Sequence, residues 1–392
     1  MPPSRVRRVR HVAVLIESSR AYGRGLIEGV ARYSREQGNW VLYFEPRGLE
    51  APPPWLRDWK GDGIIARLPL RSMARAVAAK GLPVVELFST AEKSGLPLVG
   101  GDNAAIARLA LQHFWERGFR HFAYCGPTPA TKYITLRGEA FVRQAQAAGC
   151  AGAVFSVPSA HWAVADWERE EEQIAGWLQT LPRPVGVLAC YDERGYQVLN
   201  ACRRAGLRVP EEVAVLGVGN DPVLCEMCFP PLSSIDLDAP RIGYVAAAYL
   251  DRMMRGRRAP RTPISITPRG LIGRRSTDVL ATDDPDLAEA LAFIRAHACE
   301  GIGVSDVLRR FAISQRVLER KFRSFLGRTP KAELLRVQVA RARVLLAESD
   351  LPLKEIARRC GFGSEKYFSD AFHRQGGIRP AAYRRQLRSG SA

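Results

Sequence analysis

Polar residues stand repeatedly at one kind of position in this chain, directly after short apolar runs of β character. Glu17, Ser18, Ser19 and Arg20 follow the first run, Asp102 and Asn103 the fifth, Tyr191, Asp192 and Glu193 the eighth, and Asn220 and Asp221 the ninth. Carboxylates and amides, joined by an Arg and an aromatic ring such as Trp162, form the set a polyol needs. Each hydroxyl wants both a donor and an acceptor, and the face of a sugar ring wants an aromatic surface. Asp and Asn in such places also cap the helices that follow, and for any single residue that account is as good. Their recurrence at corresponding edges is what favours binding. Glu17, Arg20, Asp102, Trp162, Tyr191, Asp192, Asn220 and Asp221 are therefore the candidate ligand contacts.

A second set lies near the C-terminus, where Ser314, Leu318, Phe322, Gly327 and Pro330 recur at an offset of 50 residues as Ser364, Phe368, Phe372, Gly377 and Pro380. A Ser followed by apolar residues at +4 and +8 is an N-capped helix with one buried stripe. The Gly ends that helix and the Pro starts the next. Upstream of each Ser lies another short apolar helix: Val307, Leu308 and Phe311 in the first copy, Leu353, Ile356 and Ala357 in the second. Two helix-turn-helix units follow, and an internally duplicated helical bundle is the plainer alternative. Away from the apolar stripe lie Arg316, Glu319 and Arg320 in one unit and Glu365, Lys366, Tyr367 and Ser369 in the other. With the capping Ser314 and Ser364, these are the candidate contacts to base edges and phosphates.

The first set requires a frame in which strand ends converge. Apolar β-rich runs at 11–17, 40–45, 62–68, 83–88, 97–101, 119–125, 153–157, 184–190, 213–218 and 232–237 alternate with helical stretches at 24–37, 71–80, 103–117, 136–149, 166–180, 193–206 and 240–255. That alternation predicts an α/β fold of two doubly wound lobes over residues 10–275, whose ligands bind beyond the strand carboxyl ends. Pro- and Arg-rich residues 255–286 read as edge strand and connector, with 264–267 able to return to a lobe as a strand. An all-α domain over 286–388 completes the chain.

Charge agrees with the duplicated units. Residues 301–392 carry 20 Lys and Arg against 8 Asp and Glu, a net +12 of the whole chain's formal +18, which is the electrostatic footprint of a DNA binder. An enzyme has little support: no phosphate-binding G-x-x-x-x-G-K-[ST] loop, G-x-S-x-G elbow or dinucleotide G-x-G-x-x-G is present. Cys225 and Cys228 form one C-x-x-C without a second ligand pair, so neither a metal nor another cofactor is expected. The apolar run from Val12 to Ile16 is too short for a signal-peptide core, and nothing approaches the ~20 apolar residues of a membrane span, so a cytoplasmic protein with no membrane partner is expected.

Residues 286–388 resemble the AraC family of transcription regulators. The resemblance rests on Ser314 to Phe322 with Gly327-Arg328-Thr329-Pro330, and on Ile356-Ala357, Cys360-Gly361-Phe362, Tyr367-Phe368, Phe372 and Gly377-Ile378-Arg379-Pro380. The front of the chain is similar to the sugar-binding core of the lactose-repressor family and to periplasmic binding proteins. Asp102-Asn103, Phe119 to Gly126, Arg137 with Phe141, and Val215-Leu216-Gly217-Val218 carry that similarity. Those repressors begin with their DNA-binding headpiece, whereas here the basic domain follows the core. This order resembles the xylose-operon activators, as do Arg20-Ala21-Tyr22, Glu28-Gly29-Val30 and Arg274-Arg275-Ser276-Thr277-Asp278.

In the AraC family a long helix joins the two units; the resemblance implies such a helix here at 330–348, with Leu334, Leu335, Ala340, Leu345 and Leu346 facing inward. The resemblance implies a periplasmic-binding-protein-like sensor, Arg137 as a further sugar contact, a small sugar effector of the pentose class, operator DNA, a homodimer, and RNA polymerase as a further partner. It leaves open a different sugar, repression instead of activation and, more distantly, a carbohydrate-active enzyme. Many such regulators have an Asp where Gly219 stands. The departure is consistent with another sugar, a shifted role for Asp221, or weaker binding.

Overall fold

The computed structural model describes residues 8–46, 51–87, 95–128, 132–150, 152–158, 167–258, 262–279 and 284–389. The chain divides into two compact units, one built from residues up to Phe114 and from Phe119 to Val279, the other from Trp115–Gly118 and from Leu280 onward.

In the first unit the elements run β1 (Arg10–Leu15), α1 (Ala21–Tyr33), β2 (Trp40–Phe44), β3 (Gly63–Ala66), α2 (Arg71–Ala78), β4 (Val84–Leu87), β5 (Leu98–Gly101), α3 (Asn103–Trp115), β6 (His121–Thr128), α4 (Lys132–Ala147), β7 (Gly152–Pro158), α5 (Trp167–Thr180), β8 (Val185–Ala189), α6 (Asp192–Arg204), β9 (Val213–Val218), α7 (Pro222–Met227), β10 (Ser233–Asp236), α8 (Ala239–Met254), β11 (Ile264–Ile266) and β12 (Gly270–Ile272). Among the described residues they form two sheets, ordered β11-β5-β4-β3-β1-β2 and β12-β10-β9-β8-β6-β7. All pairings are parallel except that of β10 with β12. The chain passes from the first sheet to the second between β5 and β6, returns before β11, and passes again before β12. Each sheet with its helices is one lobe.

Parallel strands covered on both faces should be apolar throughout, and β3, β4, β8 and β9 are buried at every position. Ala13, Leu15, Ile64, Ala66, Met73 and Val77 share one core of the first lobe, and Ala123, Ile174, Leu178, Val187, Val198 and Val215 one of the second. All ten runs read as strands are strands. The short α7 and β12 are additional, and α4 starts at Lys132, earlier than its apolar spacing suggested. β1 and β3 stop short of Glu17 and Arg67, which leaves both side chains at strand ends.

The second unit is helical: α9 (Pro285–His297), a 3-10 turn (Ala298–Glu300), α10 (Val304–Phe311), α11 (Gln315–Leu326), α12 (Pro330–Glu348), α13 (Leu353–Arg359), α14 (Glu365–Gly376) and α15 (Pro380–Ser389). The repeat is realised at each cap. Ser314 Oγ accepts the Val317 N–H at 3.4 Å and Ser364 Oγ the Tyr367 N–H at 3.1 Å, while Gly327 and Gly377 end their helices at φ of +69° and +68°.

The unit has two apolar cores. One gathers Leu287, Leu291, Ile294, Val307, Leu318, Phe322 and Leu334; the other gathers Val339, Ala342, Leu346, Ile356, Phe368 and Phe372. Ala340 is exposed, contrary to the inward position read from the sequence. Leu334, Gln338, Ala342 and Leu346 descend one face in four-residue steps, and a residue two beyond Gln338 turns to the opposite side. Phe372→Ala should cost about 3–5 kcal/mol of second-unit stability. Calorimetry should show one unfolding transition lowered and that of the first unit unmoved; a shift of both would contradict separate cores.

Candidate functional site

The sequence order of each sheet reverses between β1 and β3 and between β6 and β8, which opens a crevice beyond the strand carboxyl ends. A cavity that opens to solvent lies there, enclosing about 500 Å³ of space when the open mouth is included. Arg20, Tyr22 and Arg67 line it from the first lobe. Tyr133, Arg137, Tyr191, Asp192, Glu193, Val218, Gly219 and Asp221 line it from the second, with Leu237 beside them.

Contacts from the start of α1 cross the cavity. Arg20 Nε lies 2.8 Å from Glu193 Oε1, and its guanidinium stands 5.8 Å over the Tyr191 ring. The Ala21 N–H, first of α1 and without an acceptor in its own helix, donates to Asp221 Oδ2 at 3.1 Å. The other oxygen of Asp221 accepts the N–H groups of Val223 and Leu224 at 3.1 and 3.3 Å and caps α7.

The remaining charged side chains are held from behind. Glu17, 8% exposed, forms an ion pair with Arg67. Arg137 is 2% exposed; its Nε donates to Asn103 Oδ1 at 3.2 Å, its Nη1 to the Cys190 carbonyl, and its guanidinium faces the Tyr133 ring at 5.6 Å. Asp192 accepts the Asp221 N–H at 2.8 Å and the Ser234 hydroxyl at 2.5 Å. Burial pushes its carboxyl up to about 7; the two hydrogen bonds pull the other way, and the charges of Glu193 and Asp221 add to the rise. Burial also raises the phenols of Tyr22 and Tyr191, so both stay protonated donors.

Gly219 has a φ of +135°, and a Cβ there would lie 3.0 Å from Asp192 Oδ2. An acidic side chain at 219 would meet the Asp192 carboxylate, so in this chain the carboxylates here are Asp192, after β8, and Asp221, after β9.

Of the sequence candidates, Arg20, Arg137, Tyr191, Asp192 and Asp221 converge on the cavity, with Glu17 one contact behind. Asp102 Oδ1 caps α3 through the Ala105 N–H at 2.9 Å, and Asn220 Oδ1 accepts from Arg274 Nη1 at 3.1 Å; neither lines the cavity. Trp162 lies outside the described residues. Tyr22, Arg67 and Tyr133 went unsingled. Arg67 was legible in principle, since it closes the third apolar run as Glu17 closes the first. Among the described residues no His, Cys, Asp and Glu group could hold a metal ion, and no helix is long and apolar enough to cross a membrane. Cys225 and Cys228 are both buried thiols.

In the second unit, Arg316 and Arg320 are exposed on α11, and Glu365, Lys366 and Tyr367 on α14. Glu319 accepts from Gln315 Nε2 at 2.9 Å, and Ser369 Oγ from Arg379 Nη1 at 3.4 Å, so both are partly engaged within the unit. Exposed cationic and aromatic groups on the N-terminal turns of two capped helices are the arrangement by which a helix-turn-helix presents donors to a major groove.

Known proteins divide along the same lines. A family profile described as XylR N-terminal domain matches residues 11–100, a periplasmic binding protein-like domain matches 111–277, and a helix-turn-helix domain matches 307–386. The xylose operon regulatory protein of Escherichia coli strain K12 is 31% identical over 383 residues, covering 96% of this chain and 97% of that protein. That of Haemophilus influenzae is 28% identical over 380 residues, covering 95% and 97%. A solved structure of the xylose-binding transcription activator XylR aligns with a TM-score of 0.62 at 30% identity, covering 96% of this chain and 98% of that one. A lactose complex of a LacI-family regulator from an Arthrobacter species, at 22% identity and a TM-score of 0.55, shares the fold of the first unit. With its sensor and its duplicated helix-turn-helix in the same order and over nearly the same length, this chain belongs to the family of xylose operon regulatory proteins, AraC-type regulators with a periplasmic-binding-protein-like domain.

Proposed function

We propose that the chain is a cytoplasmic, pentose-responsive activator of pentose catabolic genes, with D-xylose or a close relative as its effector. In this reading residues 10–275 form the effector domain and 286–388 the DNA-binding domain. The protein acts as a homodimer on operator DNA, with RNA polymerase as the partner that activation requires. Arg20, Arg137, Tyr191, Asp192 and Asp221 contact the sugar, and Glu17 supports Arg67. Ser314, Arg316, Glu319, Arg320, Ser364, Glu365, Lys366, Tyr367 and Ser369 face the DNA.

The observation that carries the reading is the lining of the cavity. Three guanidinium groups, Arg20, Arg67 and Arg137, stand against three carboxyl groups, Asp192, Glu193 and Asp221. A balanced set of donors and acceptors suits a neutral polyol better than a charged metabolite. The relatives named for xylose support the class of sugar. Gly219 favours a second reading, the same regulator tuned to another small sugar, because it removes a side chain from the cavity wall.

Thermal unfolding across a panel of pentoses and hexoses tests the proposal. D-xylose at a hundred times its dissociation constant should add about 2.7 kcal/mol to the stability of the first unit. Arg137→Met should weaken the effector about 10- to 100-fold, since a buried charged hydrogen bond is lost, and leave sugar-free operator binding in place. No shift with any aldopentose would remove the pentose assignment.

The pH dependence has a definite sign. Burial puts free Asp192 at about 7, and a sugar hydroxyl donates more strongly to the carboxylate than to the protonated acid. Binding therefore favours the ionised form, so affinity should fall as pH drops from 8 to 6, by at most about tenfold per unit. Calorimetric titrations across that range should show it in the wild type and not in Asp192→Asn; a flat wild-type profile would contradict direct contact with Asp192.

A further inference from the structure

The two cores of the second unit are separate, and α12 serves both: Leu334 packs in the first, and Val339, Ala342 and Leu346 pack in the second. At the boundary α12 carries a polar side chain, Gln338, only 6% exposed. Its Nε2 donates to the Ala298 carbonyl at 2.8 Å, in the turn that closes α9 of the first half, and to the Gly361 carbonyl at 3.2 Å, in the turn between α13 and α14 of the second. An amide NH2 holds two hydrogens in one plane, so this single side chain satisfies one carbonyl from each half. The backbones it joins are close: at Gly361, φ +75°, a Cβ would lie 2.7 Å from Ala298 O and 2.9 Å from Gly301 N. The shared helix and this close backbone approach already bring the halves together, and the two-pronged hydrogen bond adds a directional tie between them.

We infer that Gln338 is a positioning residue that sets the spacing and phase of the recognition helices α11 and α14 along DNA. The inference rests on the second unit being the DNA reader. One base pair advances the duplex by about 3.4 Å, about the length of one hydrogen bond, so loss of the clamp should be felt as loss of register. With both donors gone, the buried Ala298 carbonyl and the part-buried Gly361 carbonyl lose this partner, and the halves can swing apart to find water.

The test uses the full chain and a duplex that the wild-type protein selects from a randomised pool. That site is remade with one base pair added or removed between the segments each half protects. Wild-type protein should lose about tenfold or more in affinity on either altered duplex. Gln338→Met, similar in length but without donors, should bind the parent about tenfold less tightly and differ among the three duplexes by no more than about threefold. Gln338→Asn keeps both hydrogens but is one methylene shorter, and it should flatten the preference in the same direction. A folded variant that binds all three duplexes more weakly by one common factor would make Gln338 merely stabilising and overturn the inference, as would unfolding of both variants by circular dichroism. Wild-type protein that selects a duplex yet ignores spacing would overturn it too, and with it the two-groove reading. Failure to select any duplex would instead sink the proposed function.

Discussion

Asp221 divides its two oxygens between two helices in different lobes. Oδ1 caps α7, next to the strand that carries it, and Oδ2 takes the first N–H of α1 across the cavity. Its own N–H is bound to Asp192, whose carboxylate would crowd a side chain at Gly219 and titrates near neutrality because it is buried. The walls of the cleft, the start of α1 and the state of the acid at its base are therefore one connected hydrogen-bonded system. A ligand hydroxyl that enters it must displace or join an existing bond.

The ion pair between the lobes is partly wet. The Arg20 and Glu193 side chains are 25% and 32% exposed, and an ion pair of that kind is worth about 0–1 kcal/mol. One hydrogen bond from Ala21 adds a net ~1 kcal/mol. Contacts of this size are open to control, because a ligand needs only a few kcal/mol of preference for one arrangement of the lobes to change which is populated. Behind the lining, buried Glu17 under Arg67 and half-buried Asn103 under Arg137 hold the side chains that would express that preference.

Much of this was legible in the residues. The two sheets followed from alternating apolar runs, and the repeated caps from a Ser, two apolar steps, a Gly and a Pro. Buried parallel strands leave a plain signature, and so does a capped amphipathic helix. What escaped was set by tertiary contact. Asp102 and Asn220 have the same types and strand-end positions as Asp192 and Asp221, yet one caps α3 and the other is bonded to Arg274, because nothing local decides which way a strand-end side chain turns. Arg67 and Tyr133 were assigned to a strand and a loop, since element ends are fixed by packing as well as by periodicity. Ala340 was misplaced by one helical face for the same reason.

The central claim is that one chain couples a sugar in the cleft to DNA at the duplicated helix-turn-helix. Coupling free energy is reciprocal, so the most direct measurement is a thermodynamic square: operator affinity with and without D-xylose, and D-xylose affinity with and without operator, in one buffer. The account predicts that both affinities change by the same factor, about 5- to 150-fold. D-xylose that binds the cleft while operator affinity stays the same would contradict it.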